Sequence, residues 1–371
     1  MNRAARHAHP QRQTGVTLIE LLVATAVGVL LLAGVIQIFA GNSQTNRFND
    51  SLARIQENGR FAIEELTREI RMAGFLGCTG QLGLVAVNNT LSATAPASFD
   101  PFTGLQGWEA NGTGLGEVLA LDFAAATADV ASGGWTTAAG TAPLQAFQAV
   151  PGNDIIRIWR GSEATGRITA AGTDTVTVTD APGFQDGDLV LLSDCQSLDL
   201  IRACEVTTAA GESVLDRTGP GCAAGEPQST VAPFRVTGVG GQANRLVGTV
   251  FYIGKRGNDA AAPPALFRQR VGGDGTLMGA EELAEGVESL QILYGVDDTG
   301  DRRLDDYVTA DAVDDWTRVL AVRVSLLLVA PDNNIVDPDQ QVTFNGADQL
   351  PGDRRLRQTM TTTISLRNRT L

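Results

Sequence analysis

Gly15–Gly41 reads GVTLIELLVATAVGVLLLAGVIQIFAG, and Glu20 is its only ionisable side chain. As a helix, the 26 residues from Val16 to Gly41 would extend ~39 Å at ~1.5 Å per residue, more than the ~30 Å hydrocarbon core of a bilayer. The segment before it, MNRAARHAHPQRQTG, carries Arg3, Arg6 and Arg12, no acid and no apolar stretch of its own. It is therefore not an ordinary secretory signal. Positive charge on that side predicts a single-pass membrane helix with its N-terminus in the cytoplasm and the body outside. Glu20 is the anomaly, because a carboxylate in an apolar helix costs on the order of 2.5–3.5 kcal/mol on insertion scales. It either sits at the headgroups or has a fixed cationic partner.

Downstream, Phe48, Leu52, Ile55, Ala62, Leu66, Ile70 and Ala73 recur mainly three and four apart, with Gly59 filling the gap. That stripe predicts an amphipathic continuation of the helix. Asp50 with Arg54 and Glu64 with Arg68 are spaced for i,i+4 pairs, and Gly74 is placed to end the helix. Past Cys78 the texture changes to Ala, Gly, Thr and Ser. Strand signals follow at 154–160, 175–179, 188–193, 246–253, 289–294, 319–330 and 359–367. In the last, Met360, Thr362, Ile364 and Leu366 share one face. A short helix is expected at 279–286, and the stretch 207–245 reads as an insertion. The fold class expected is α+β: a long N-terminal helix packed on a mainly antiparallel β head. Its divisions are 1–15 leader, 16–41 membrane helix, 42–74 amphipathic continuation and 75–371 head.

The 371 residues carry a net charge of −14, which argues against a nucleic-acid-binding surface. Both histidines, His7 and His9, lie in the first ten residues. If that segment is removed, histidine-based triads and zinc–histidine sites are excluded. Without its three arginines, the 28 basic residues become 25 against 42 acids, a net charge of −17. No phosphate-binding or nucleophile-elbow motif is present, and no enzyme activity is expected. Cys78, Cys195, Cys204 and Cys222 lie in the part predicted to face an oxidising compartment. An even number there implies two disulfides, with three connectivities open. Asp297, Thr299, Asp301, Arg303 and Asp305 fall in DDTGDRRLDD and invite a calcium reading. An EF-hand loop wants glycine at position 6 and an acid at 12, where this chain has Arg302 and Val308. A solvated acidic turn is favoured, with a non-EF calcium site as the alternative; no other cofactor is expected. Arg354, Arg355 and Arg357 read as a solvated loop before an edge strand.

The run GVTLIELLVA at 15–24 resembles the class III signal of type IV pilins and pseudopilins. The resemblance implies cleavage by prepilin peptidase between Gly15 and Val16, N-methylation of Val16, and a role for Glu20 in subunit assembly. Its partner there would be the amine of Val16 on a neighbouring subunit. Valine stands where the family usually has phenylalanine. RMAGFLGC at 71–78, GNDIIRI at 152–158, LLSDC at 191–195, ESLQILYGVD at 288–297, AVRVSLLL at 321–328 and TTTISLRNR at 361–369 resemble the PilW-type minor pilins. That family implies a Cys78–Cys195 bridge, which leaves Cys204 with Cys222. It also implies a structural protein of pilus assembly, made in the bacterial inner membrane and then displayed in the pilus. The partners implied are other minor and major pilins, prepilin peptidase, the inner-membrane assembly platform and membrane lipid. The alternatives are a pseudopilin of type II secretion and a tip-displayed adhesin or binding module.

Overall fold

A computed structural model describes residues 15–78, 86–91, 101–139, 144–179, 183–219, 222, 234–236, 240–272, 277–337 and 340–369. The leader up to residue 14, with His7 and His9, lies outside them. The chain divides into two units, Met1–Asp50 and Ser51–Leu371.

One helix, Leu18–Arg71, forms the whole N-terminal part of the described chain. From Leu18 to Phe39 it is apolar apart from Glu20, Thr25 and Gln37, and no described residue covers it: Leu18, Leu30 and Phe39 are each more than 70% exposed. It is long and apolar enough to cross a membrane. In the second unit the pattern is one-sided, as the amphipathic stripe predicts. Ile55, Ala62, Leu66 and Ile70 are buried, each large apolar side chain contributing about 1.5–3 kcal/mol. Gly59 marks the closest approach: a Cβ there would meet Leu328 Cδ1 at 2.3 Å and Met360 Sδ at 2.7 Å. On the wet face Arg68 pairs with Glu65 at 2.7 Å, one residue off the expected Glu64. Arg160 and Arg268 reach this half of the helix from the sheets, binding Glu69 at 2.8 Å and Glu65 at 3.4 Å.

The head is built from two main sheets. The larger has 12 strands, dominated by Ile155–Ala171 and Gln242–Lys255, which pair antiparallel over most of their length. Ala86–Asn89 on Ser197–Arg202 is a parallel pair at its edge; the other pairings of this sheet are antiparallel. The smaller sheet runs Asp306–Val308, Val287–Val296, Val319–Val329, Arg357–Ser365, all antiparallel. Val287–Val296 is buried at every position, as expected of a strand covered on both faces. In Arg357–Ser365 alternate residues are exposed, and Ile364 is buried on the face assigned from sequence. This is the α+β arrangement expected.

One expectation about the strands is corrected. Residues 279–286 do not form a helix: Glu281–Glu285 is a strand paired with Pro264–Val271. Five residues are too few to nucleate a helix unaided. Cross-strand pairs hold them extended instead, Arg268 to Glu281 at 2.8 Å and Arg256 to Glu282 at 2.7 Å. The 207–245 stretch opens on part of a hairpin, Glu205–Ala209 with Glu212–Asp216, that extends the large sheet. Its turn, Ala210-Gly211, has both φ angles positive (52° and 84°), which matches the strand twist. Residues 220–221, 223–233 and 237–239 of that stretch lie outside the described residues.

Candidate functional site

At the start of the helix, Thr17 and Glu20 form a reciprocal capping box. The Glu20 carboxylate accepts the Thr17 backbone N–H at 3.3 Å, and Thr17 Oγ1 accepts the Glu20 N–H at 3.3 Å. The Thr17 hydroxyl also lies 3.3 Å from the same carboxylate oxygen. The T-x-x-E spacing is legible in the sequence as a capping-box signature, although the signal motif that contains it points to Glu20 alone. Gly15 and Val16 precede the helix and are exposed. Glu20 is the one acid among exposed Leu18, Ile19, Leu21 and Leu22. Glu20 itself is exposed.

The other end of the helix is closed by the C-terminal residues of the chain. Arg367 N–H donates to the Arg71 carbonyl at 3.3 Å, and Asn368 Nδ2 to the Ala73 carbonyl at 3.3 Å. Carbonyls at a helix C-terminus have no intrahelical donor, so a tail supplying N–H groups there acts as a cap. Arg369 donates to the carbonyls of Val319 at 3.1 Å, Trp316 and Thr103. Gly74 (φ +71°) and Gly104 (φ +74°) pack so closely that a Cβ on Gly104 would meet Gly74 Cα at 2.8 Å. Leaving the helix, Gly74 N–H bonds the Trp159 carbonyl at 2.9 Å and Phe75 accepts from Gly161 at 2.5 Å. Cys78 is bonded to Cys195, with Cα atoms 4.9 Å apart, which ties the helix exit to the turn after Leu189–Ser193. Cys204 and Cys222 form the second bridge, Cα–Cα 4.7 Å.

The acidic run does not gather its carboxylates. Asp297 accepts the backbone N–H groups of Gly300, Asp301 and Arg302 (2.6, 3.1 and 2.8 Å), and Asp305 those of Asp298 and Thr299 (2.8 and 3.0 Å). Asp301 accepts from Arg303 at 2.9 Å. These hydrogen bonds hold Asp305 below the usual carboxylate range. Among the described residues no three His, Cys, Asp or Glu side chains come together as a metal site.

The arginine cluster turns inward, against expectation. Arg357 is buried; it grips Glu288 with two bonds of 2.6 and 2.8 Å and also holds Asp353. Arg355 stacks on Phe123 at 3.6 Å, and Arg354 meets Asp337 at 3.2 Å. A second buried acidic group, not singled out from sequence, lies where the two sheets meet. Asp154 accepts the Ala110 N–H from the large sheet at 3.0 Å and the Ile292 N–H from the small one at 2.7 Å. Glu109 accepts from Thr113 at 3.3 Å. Burial pushes its carboxyl up to about 7, helped by the charge of Asp311, and burial raises Asp154 as well.

Residues 250–368 match the family described as type IV pilus-assembly protein W (PilW), and residues 10–36 match the prokaryotic N-terminal methylation motif. Neither a curated protein nor a solved structure matches the chain. The first match spans the whole small sheet and ends on the residues that cap the helix. The second brackets Gly15 and the Thr17–Glu20 box. Over these two segments, the apolar helix start and the small sheet, the chain is similar to PilW-type pilins.

Proposed function

We propose that this minor pilin acts structurally, in the initiation or tip complex of a type IV pilus. It is made as an inner-membrane prepilin with its N-terminus in the cytoplasm, cleaved after Gly15 and methylated on Val16. The observation that carries this reading is the helix start. A single carboxylate, Glu20, stands in a largely apolar surface that none of the described residues covers. Such a surface is stable only in lipid or against other apolar helices. Once the helix leaves lipid for a filament core, the Glu20 carboxylate needs a cation, and the new amine of Val16 on a neighbour supplies it. That pairing sets the axial register of each incoming subunit. The head is the stable body that the filament presents, tied to the helix by the C-terminal cap and the Cys78–Cys195 bridge. Its partners are therefore other minor and major pilins, the prepilin peptidase and the assembly platform. Motility, adhesion or DNA uptake would follow from the filament, and no chemistry in the head is required for them.

The test is a count of surface pili by electron microscopy in a strain lacking this gene and also unable to retract pili. Loss of pili, restored by the wild-type gene but not by Glu20→Ala, is the expected result. Normal piliation of the deletion strain overturns the initiation role. A secretion defect in that strain would move the protein to a type II secretion pseudopilus.

A further inference from the structure

The small sheet ends on Arg357–Ser365, which pairs with Val319–Val329 on one side and with no described strand on the other. Its ladder is regular, and both ends give its phase. Ala330 N–H donates to the Leu356 carbonyl at 2.8 Å, and Leu366 N–H to the Leu320 carbonyl at 2.9 Å. Even-numbered residues therefore turn their backbone groups inward, and Arg357, Thr359, Thr361, Thr363, Ser365 and Arg367 turn theirs outward. The two ends of this outward row are closed. Gln340 accepts the Arg357 N–H at 2.7 Å and donates to the Arg357 carbonyl at 2.9 Å, so one side-chain amide does for Arg357 what a strand would. Arg367 N–H goes to the Arg71 carbonyl. Between them, the outward N–H and C=O groups of Thr359, Thr361, Thr363 and Ser365 have no partner among the described residues, and all four residues are exposed. Val342–Phe344, packed on Leu327, pairs with Ala347–Gln349 and not with this strand.

An open edge is ordinarily blunted by shortness, charge, proline or a bulge. The opposite edge of this sheet, Asp306–Val308, is three residues long, and the edge strand Glu281–Glu285 of the large sheet carries three glutamates. Gln358–Ser365, QTMTTTIS, has no charge, no proline and no shift in register. Ala53 and Ile63 of the helix and Met360 of the strand line a groove beside this edge. Glu57 and Arg60 add one charge of each sign to it, and Gln358, whose buried Oε1 has no partner among the described residues, also lines it.

We propose that the edge from Thr359 to Ser365 receives a β-strand of another protein, an uncharged stretch of about seven residues alternating aliphatic and hydroxyl side chains. Its backbone takes up the four outward N–H groups and the four outward carbonyls. Successive side chains point to opposite faces, so its aliphatic set enters the groove while its hydroxyls stand beside the threonine row. A second copy of this chain fits less well. Strand and helix run the same way in the second unit, with Met360 beside Gly59 and Arg367 beside Arg71. Pairing the edge with itself antiparallel would turn the second helix end for end, which two chains anchored in one membrane cannot do. A parallel self-pair needs a stagger of one residue, because opposed residues in a parallel ladder turn their backbone groups the same way, and that stagger breaks two-fold symmetry. The choice of another protein rests on the membrane-anchored reading above; the open edge does not.

The experiment uses the full chain in lipid nanodiscs and the fluorescence anisotropy of a labelled, acetylated and amidated nine-residue peptide of alternating threonine and valine. The expected result is saturable binding, lost in a counterpart peptide with proline at two adjacent central positions, which lacks a central N–H on either edge. In the protein, Thr361→Pro removes an outward N–H and leaves the ladder to Val319–Val329 intact. It should weaken binding about tenfold or more, whereas Thr361→Val should not. Gln340→Ala uncovers a fifth outward residue, Arg357, and should tighten binding several-fold, a readout that does not depend on how well Thr361→Pro folds. No saturable binding, equal binding of the proline peptide, or unchanged affinity in both Thr361→Pro and Gln340→Ala overturns the proposal. Thr361→Cys that crosslinks to itself in vesicles holding many copies assigns the edge to a second copy and overturns it as well. The pilus count tests the membrane-anchored reading separately from all of these.

Discussion

Replacing both cysteines of the Cys78–Cys195 bridge with alanine opens a loop of 117 residues, whereas the same change at Cys204 and Cys222 opens one of 18. In the chain-entropy description a crosslink removes about 2.1 + 1.5R ln n cal/mol/K from the unfolded chain. At 25 °C this gives ~4.9 kcal/mol for the long loop and ~3.2 kcal/mol for the short one. The two loops do not overlap in sequence, so the losses should add, to ~8 kcal/mol in the quadruple variant. Since whole domains are stable by only ~5–15 kcal/mol, the quadruple variant should sit at the edge of folding. The assay is urea unfolding of the full chain in nanodiscs, followed by fluorescence of the buried Trp108, Trp159 and Trp316. Cys78→Ala/Cys195→Ala should have the lower midpoint of the two double variants, by the equivalent of ~1.7 kcal/mol. Equal midpoints, or the reverse order, would refute the entropic account and assign the bridges' effect to native packing.

Glu109 and Asp154 make the head less stable as pH rises. Their folded-state values lie above the ordinary carboxylate range, so the folded head holds protons that the unfolded chain releases. The stability Glu109 contributes is complete below about pH 4 and falls as pH climbs through about 7, a rise from 4.5 that corresponds to on the order of 3 kcal/mol; Asp154 adds a loss of the same sign. Glu109→Gln should flatten the drop in urea midpoint between pH 5 and 8, and an unchanged slope would count against it. Arg357→Met strands Glu288, whose side chain is 2% exposed, and should cost about 3–5 kcal/mol; adding Glu288→Gln should recover part of that loss in the same unfolding curves. Gly248→Ala drives a Cβ to 2.3 Å from the buried Trp159 ring. It should lower stability by about 1–3 kcal/mol, read as a lower melting temperature, and an unchanged melt would show that the ring yields.

What could be read in advance was whatever short-range pattern decides. The apolar run before Gly41 has one structural solution. TVTVT at 175–179 alternates cleanly and is a strand with those bounds. Glu281–Glu285 misleads because its residues favour helix, while its state is set by Pro264–Val271, a partner with which it shares no local signal. Arg357 looks like a surface charge beside Arg354 and Arg355; its burial is decided by Glu288, 69 residues away. The Thr17–Glu20 box was visible as a spacing, whereas the capping of the helix end spans 295 residues, from Asn368 to Ala73, and left no trace in the sequence.

That last contact ties the completion of the head to the order of synthesis. The helix end emerges from the ribosome some 295 residues before the side chain that caps it. Between the two, the helix end must wait with bare carbonyls while the strands between them find their places. Contacts of such separation form slowly, and an unclosed intermediate presents free sheet edges to its neighbours. Arg367 and Asn368 therefore act as a latch that cannot shut until the strands between it and the helix have been made. A chain cut before Arg367 would keep the whole helix while carrying a head that never locks onto its end.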